Sequence, residues 1–150
     1  MSHQPYSYNR RYTTRYTFVS KGRKGAIVKI AQFTPTSVTN VLNLSFGDLR
    51  SDGTIDDAAN TNNNDIVKVM VTIVDIINDF TTENPSVKIV FIGNTKVRTS
   101  LYNRILKMYY TIFSKTYIIT ALIKDGSSFI EVPFETETNN KYLAFFVKRK

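Results

Sequence analysis

The stretch Ile66-Val67-Lys68-Val69-Met70-Val71-Thr72-Ile73-Val74-Asp75-Ile76-Ile77-Asn78-Asp79-Phe80 admits two readings, and the fold turns on which is taken. Its β-branched residues favour a long strand. Its polar residues do not alternate, however: Lys68, Thr72, Asp75 and Asp79 recur at helical spacing and gather in one wet stripe. Opposite that stripe lie Ile66, Val69, Met70, Ile73, Ile76, Ile77 and Phe80, an apolar face wide enough to pack a helix on a sheet. The spacing predicts a helix, with Asn62, Asn63, Asn64 or Asp65 as N-cap and Pro85 beyond its end.

Upstream the pattern changes to a period of two. Tyr12, Thr14, Tyr16 and Phe18 alternate with Thr13, Arg15, Thr17 and Val19, which predicts a strand starting at Tyr12. Lys21-Gly22-Arg23-Lys24-Gly25 supplies a turn, and the β-branched run Ala26 to Phe33 returns as a hairpin with three cations at its tip. Pro35 ends that strand, and Val38 to Phe46 gives a third. Downstream, Val87 to Ile92 reads as a short central strand. Gly93-Asn94-Thr95 turns it into a second helix with Val97, Leu101, Ile105, Met108 and Ile112 inward, and Arg104, Lys107 and Lys115 on the solvent side. Thr116 to Ile123, the Asp125-Gly126 turn, Phe129 to Val132 and Tyr142 to Val147 complete the pattern. The expected fold is α+β: a mainly antiparallel sheet in the order βββαβα followed by two or three strands, with two helices on one face, in a single domain over residues 1–150.

Charge is segregated rather than mixed. Residues 1–47 hold seven Lys/Arg and no acid, residues 48–85 hold two against eight, and residues 86–150 hold eleven against four, within a net charge of +8. Such blocks point to a basic surface for a polyanion, or to a basic hairpin neutralised by an acidic segment of the same molecule. Other chemistries drop out. The chain has no Cys, and its one histidine, His3, lies in a polar stretch, so thiolate zinc sites, cysteine nucleophiles and Ser-His-Asp triads are excluded. Residues 1–16 lack the apolar core of a signal peptide, and Lys68 and Asp75 interrupt the longest apolar stretch, so a soluble cytoplasmic protein without a membrane span is the default. No cofactor is called for.

Three candidate sites remain. The segment from Asp48 to Asp56 approaches a calcium loop, but Arg50 stands at the third position and Ala59 where a bidentate Glu is needed, which favours a solvated loop. A metal-dependent enzyme would draw on Asp48, Asp56, Asp57 and Asp65. The βββαβα order resembles that of the ribonuclease H-like fold, yet the first strand carries no acid, so that two-metal site is broken and no metal ligand set is assigned. Gly93, Asn94 and Thr95 at a helix start, with Arg98 one turn in, make a weak anion site beside the plainer reading of a turn and cap. Tyr6, Tyr8, Tyr12 and Tyr16 interleave with Arg10, Arg11 and Arg15, a combination suited to stacking on bases while neutralising phosphates. With Lys21, Arg23 and Lys24 at the hairpin tip, these make nucleic acid or another polyanion the favoured partner of a non-catalytic binding module. Protein–protein interaction, including homo-oligomers through exposed edge strands, is the alternative.

A set of motifs runs through nearly the whole chain: Tyr16-Thr17-Phe18 with Gly22 to Gly25, Asn43-Leu44-Ser45-Phe46-Gly47-Asp48, Ile55-Asp56-Asp57, Asn63-Asn64-Asp65, Gly93-Asn94-Thr95 with Arg98 to Tyr102, and Phe145 to Lys150. On these the chain resembles an uncharacterised family of small proteins common in Bacteroidetes. Asn94 stands where that family's pattern has Ser. The resemblance implies a complete single-domain protein and brings no activity, cofactor, partner or functional residue.

Overall fold

Apolar alternation and helical spacing resolve into nine strands and three helices among the described residues, an α+β fold with mainly antiparallel sheet. The structure is a computed structural model that describes residues 4–56, 63–92 and 96–150. It divides into two units, Met1–Thr34 with Asn43–Asn84 and Pro35–Leu42 with Pro85–Lys150.

In the first unit, β1 (Tyr8–Arg11), β2 (Arg15–Gly22), β3 (Gly25–Pro35) and β4 (Val41–Leu49) lie side by side in that order, and the short β5 (Ile55–Asp56) pairs with β4. The central meander is the one the sequence predicts, but the strand expected from Tyr12 is not continuous. Tyr12, Thr13 and Thr14 form a turn, and Tyr8–Arg11 folds back as an additional strand in register with β2. The second turn is tighter: Gly22 faces Gly25 across the two residues Arg23 and Lys24.

Helix α1 (Ile66–Glu83) forms where predicted and runs three residues past Phe80. Val69, Met70, Ile73, Ile76, Ile77 and Phe80 are buried, as are Tyr16, Phe18, Ile30, Phe33 and Leu44 of the strands. The Phe33 and Phe80 rings stack at 4.1 Å between centroids, and Tyr16 meets Phe33 edge-on. Burying a large side chain of this kind contributes roughly 1.5–3 kcal/mol, so α1 owes its stability to this face rather than to its poorly helix-forming Val and Ile residues.

The second unit is built from β6 (Lys88–Phe91), α2 (Lys96–Met108), α3 (Tyr110–Phe113), β7 (Tyr117–Asp125), β8 (Ser128–Pro133) and β9 (Ala144–Arg149). Its strands lie in the order β6-β9-β7-β8, every pair antiparallel. The Asp125-Gly126 turn forms as expected, with Gly126 at φ +62°. Its core is aromatic: Phe91 stacks on Phe145 and meets Tyr102, while Phe134 packs against Tyr110, Tyr142 and Phe145. The second helix departs from its expected face. It breaks at Tyr109: Met108 and Ile112 are exposed, Ile105 is buried as expected, Tyr102, Leu106 and Phe113 are buried with it, and the Val97 side chain lies outside the described ones. Lys107, expected on the solvent side, is half-buried with its Nζ donating to the Thr138 carbonyl. Among the described residues no helix is long and apolar enough to cross a membrane.

Candidate functional site

The polar stripe of α1 is not a wet face. Thr72 is fully buried, and the stripe is covered by the N-terminal segment whose tyrosines and arginines stood out in the sequence. The Tyr6 N–H donates to Thr72 Oγ1 at 2.9 Å, and Lys68 Nζ lies 4.4 Å from the Tyr6 ring centroid. The Tyr8 hydroxyl donates to Asp75 at 2.8 Å. Arg10 donates to Asp79 at 3.2 Å, pairs with Glu83 at 2.9 Å and lies against the rings of Tyr16 and Phe80. The Tyr16 hydroxyl reaches the same Asp79 oxygen at 2.7 Å. Geometry explains the match. Alternate residues of an extended chain advance about 6.6 Å and one helical turn about 5.4 Å, so residues 6, 8 and 10 keep step with 72, 75 and 79.

Part of the basic block is thus neutralised internally, and Arg10 leaves the set of free cations. The three tyrosines carry the signature of that burial. Desolvation and then the hydrogen bond to Asp65, Asp75 or Asp79 raise the pKa of Tyr6, Tyr8 and Tyr16 respectively. Each proton is held more tightly folded than unfolded. The stability these groups contribute is therefore complete below the ordinary tyrosine value of about 10 and is lost as the pH rises above it. In an alkaline titration, the tyrosinate absorbance assigned to these residues by single Tyr→Phe variants rises together with loss of the folded circular-dichroism signal. Ionisation at the ordinary value in a folded chain contradicts this.

A second polar cluster fixes the β2–β3 tip. Asn63, buried at 2% exposure, accepts from the Arg23 N–H on its backbone oxygen and from the Lys24 N–H on its side-chain oxygen. Its Nδ2 donates to Ser20 Oγ at 3.1 Å and to the Gly25 carbonyl at 2.9 Å. Asp65 accepts from Ser20 Oγ at 2.5 Å and from the Tyr6 hydroxyl at 2.6 Å, and that hydroxyl accepts from the Lys21 N–H at 3.1 Å. Asp65 holds the N-cap position of α1, as one of the expected caps, but makes no capping hydrogen bond because both donors come from elsewhere in the chain. Sequence reasoning missed Ser20, Asn63 and Asp65 as hairpin anchors; the Asn-Asn-Asp run was visible, but it carried the ordinary signature of a helix start.

The tip so anchored presents Lys21, Arg23 and Lys24 to solvent, and none of the three forms an ion pair with the described residues. Beside it run two clefts of about 420 and 620 Å³ that share Tyr6, Lys21 and Lys68. Arg11 and Tyr12 are also exposed, but they lie at the opposite end of β2. An eight-residue strand sets the two tips roughly 23 Å apart, so the basic candidates form two groups. Arg15 is half-buried and donates to the Gly53 carbonyl at 2.7 Å.

The acidic candidates are engaged locally. Asp48 and Asp56 face each other across β4 and β5, with Lys29 on the first and Arg50 at 3.4 Å from the second. Asp52 accepts from the Thr54 N–H and hydroxyl, bonds that hold its carboxyl below the usual range, as in a solvated turn. Among the described residues no group of three potential metal ligands converges. Asp57, Gly93, Asn94 and Thr95 lie outside the described residues, and Arg98 is half-buried on α2 with interactions of its own. No curated protein and no solved structure matches the chain. One family model does match, over residues 2–150, and by that match the chain belongs to DUF6934, a family of unknown function.

Proposed function

We propose that the chain is a cytoplasmic, non-catalytic, single-domain binding module for nucleic acid or another polyanion, contacted through the β2–β3 tip. One observation carries this reading: three exposed cations within four residues, Lys21, Arg23 and Lys24, sit on a turn held by the buried Asn63 without an ion pair among the described residues. Fixing the backbone beforehand lowers the entropy lost when a phosphate chain is bound. Lys68, on the wall of both neighbouring clefts, extends the positive surface along the side of the tip.

Labelled single- and double-stranded oligonucleotides titrated at two salt concentrations test it. Binding falls steeply with salt. The combined exchange Lys21→Gln, Arg23→Gln, Lys24→Gln lowers the slope of log K against log salt by about 2–3, since each phosphate contact contributes roughly 0.7–0.9. Parent protein that binds neither strand form at low salt, or a triple variant that binds as the parent does, overturns the reading.

A second reading rests on β8. Ser128 to Glu131 are exposed along this edge strand, with Phe129 at 59%. The one charge on the strand that would discourage edge pairing, Glu131, is turned back onto Lys88 and Thr120. Burial raises the Glu131 pKa, but the bonds from Lys88 and Thr120 outweigh it and leave the carboxyl below its usual range. Absence of nucleic-acid binding together with a concentration-dependent mass would assign the function to this edge.

A further inference from the structure

We infer that Tyr12, with Arg11 and Arg15, is a stacking contact for an unpaired base, and that the polyanion is single-stranded nucleic acid. The inference rests on the polyanion reading and deepens it at the other tip of the first unit. Tyr12 is 86% exposed in the β1–β2 turn. Its φ is +56° and that of Thr13 is +63°, so two non-glycine residues in succession are left-handed. For a bulky aromatic residue and a β-branched one this region is disfavoured; Asn or Gly fits it.

The ring gains nothing from the fold in return. Tyr6, Tyr8 and Tyr16 each place a hydroxyl on a carboxylate, whereas the Tyr12 side chain has no hydrogen bond, ring or cation contact among the described residues. Only its carbonyl is engaged, accepting from Thr14 Oγ1 at 3.4 Å.

Charge at the same turn is also unfavourable. Arg11 and Arg15 are paired across β1 and β2, immediately before and after the turn. Like charges directly opposite on a strand pair destabilise it. Arg15 donates to a neutral carbonyl, that of Gly53, and Arg11 is exposed, with no ion pair to either among the described residues. Strain, an exposed ring and two opposed guanidiniums thus meet in five residues. A phosphate between the arginines removes the repulsion, since guanidinium groups bind phosphate oxygens in pairs. A base face covers the ring. Base faces are hidden within the stack of a duplex and open in a single strand, so the combination selects the single strand.

The test compares the parent with Tyr12→Asn, Tyr12→Phe and Arg11→Gln for thermal stability and for affinity toward a labelled oligothymidylate and a duplex of equal length. Tyr12→Asn keeps or raises the melting temperature, because Asn accepts the left-handed turn. It lowers oligothymidylate affinity about 5- to 150-fold, the range for one stacked base, and leaves duplex affinity unchanged. Tyr12→Phe retains the affinity, and Arg11→Gln weakens it and flattens its salt dependence.

Unchanged oligothymidylate affinity in Tyr12→Asn overturns the inference while salt-dependent binding at Lys21, Arg23 and Lys24 leaves the broader reading intact. Equal losses on both strand forms overturn base stacking in favour of a general contact. A fall in melting temperature makes Tyr12 a structural residue and also overturns it. Failure of the parent to bind either form at low salt removes the polyanion reading, and this inference with it.

Discussion

Gly22→Ala destabilises the chain by at least about 3 kcal/mol, which lowers the melting temperature by roughly 6–12 °C for a protein of this size. The reason is space. A Cβ on Gly22 would overlap the Asn63 carbonyl oxygen, with the Asn63 carbonyl carbon and Cγ also pressed at 3.0 Å. Neither obstacle is the free end of a flexible side chain. The carbonyl oxygen is the acceptor of the Arg23 N–H, and the Asn63 side chain is committed to Lys24, Ser20 and Gly25. Relief by backbone movement would break those bonds, and each buried polar group left unsatisfied costs about 1–3 kcal/mol.

Gly25→Ala supplies the contrast. Gly25 has φ +89°, but a methyl group added there would meet nothing within 4 Å, so only conformational strain, on the order of 1–2 kcal/mol, applies. Denaturant midpoints for the two variants separate close approach from backbone conformation. Equal effects would mean that Asn63 does not sit against Gly22 in solution.

The residues that decide this were only partly legible in the sequence. Gly22 and Gly25 mark the turn, and the three cations between and beside them follow from the same five letters. That Asn63 closes on the turn from 38 to 43 positions away is a long-range pairing that no local pattern encodes. Asn63 and Asp65 precede an apolar run, so local reasoning assigns them to a helix cap. A similar limit explains β1. Tyr12-Thr13-Thr14 contains no Gly, Pro, Asn or Asp, and the alternation of the following strand continues through it, so no local signal announces a turn.

The α1 stripe shows the converse. Its helical period was plain, yet Lys68, Thr72, Asp75 and Asp79 looked like a solvent face because polar residues usually are one. Covering that stripe required an extended segment with donors at every second residue, which Tyr6, Tyr8 and Arg10 provide. The charge blocks were visible from the outset. Which cations they leave free depended on that pairing, which takes Arg10 and leaves Arg11, Lys21, Arg23 and Lys24 exposed.

Asn63→Asp, an exchange of nearly equal volume, is expected to lower stability by more than about 3 kcal/mol at neutral pH. The Lys24 N–H loses nothing, since an oxygen still faces it. The damage lies on the other side of the group, where Nδ2 donates to Ser20 Oγ and the Gly25 carbonyl. A carboxylate oxygen there meets the Gly25 carbonyl as acceptor against acceptor. Ser20 cannot relieve it by turning, because its one proton is already given to Asp65.

Burial at 2% exposure adds the desolvation of a charge, and the exposed Lys21, Arg23 and Lys24 supply no buried counter-charge to the new group. The new carboxyl is therefore more basic folded than unfolded. Its penalty is largest at neutral pH and shrinks as the pH falls toward and below about 4, where the protonated acid can donate to Gly25 as the amide did. Asn63→Ala lacks that titration: it loses the same bonds at every pH and leaves the Lys24 N–H and the Gly25 carbonyl without their partner. The difference between the two variants, each referred to the parent at the same pH, therefore changes with pH: Asn63→Asp gains on Asn63→Ala as the pH falls through the range in which its carboxyl is protonated. Parallel curves would show that the position is solvated and that the β2–β3 tip is not held from within.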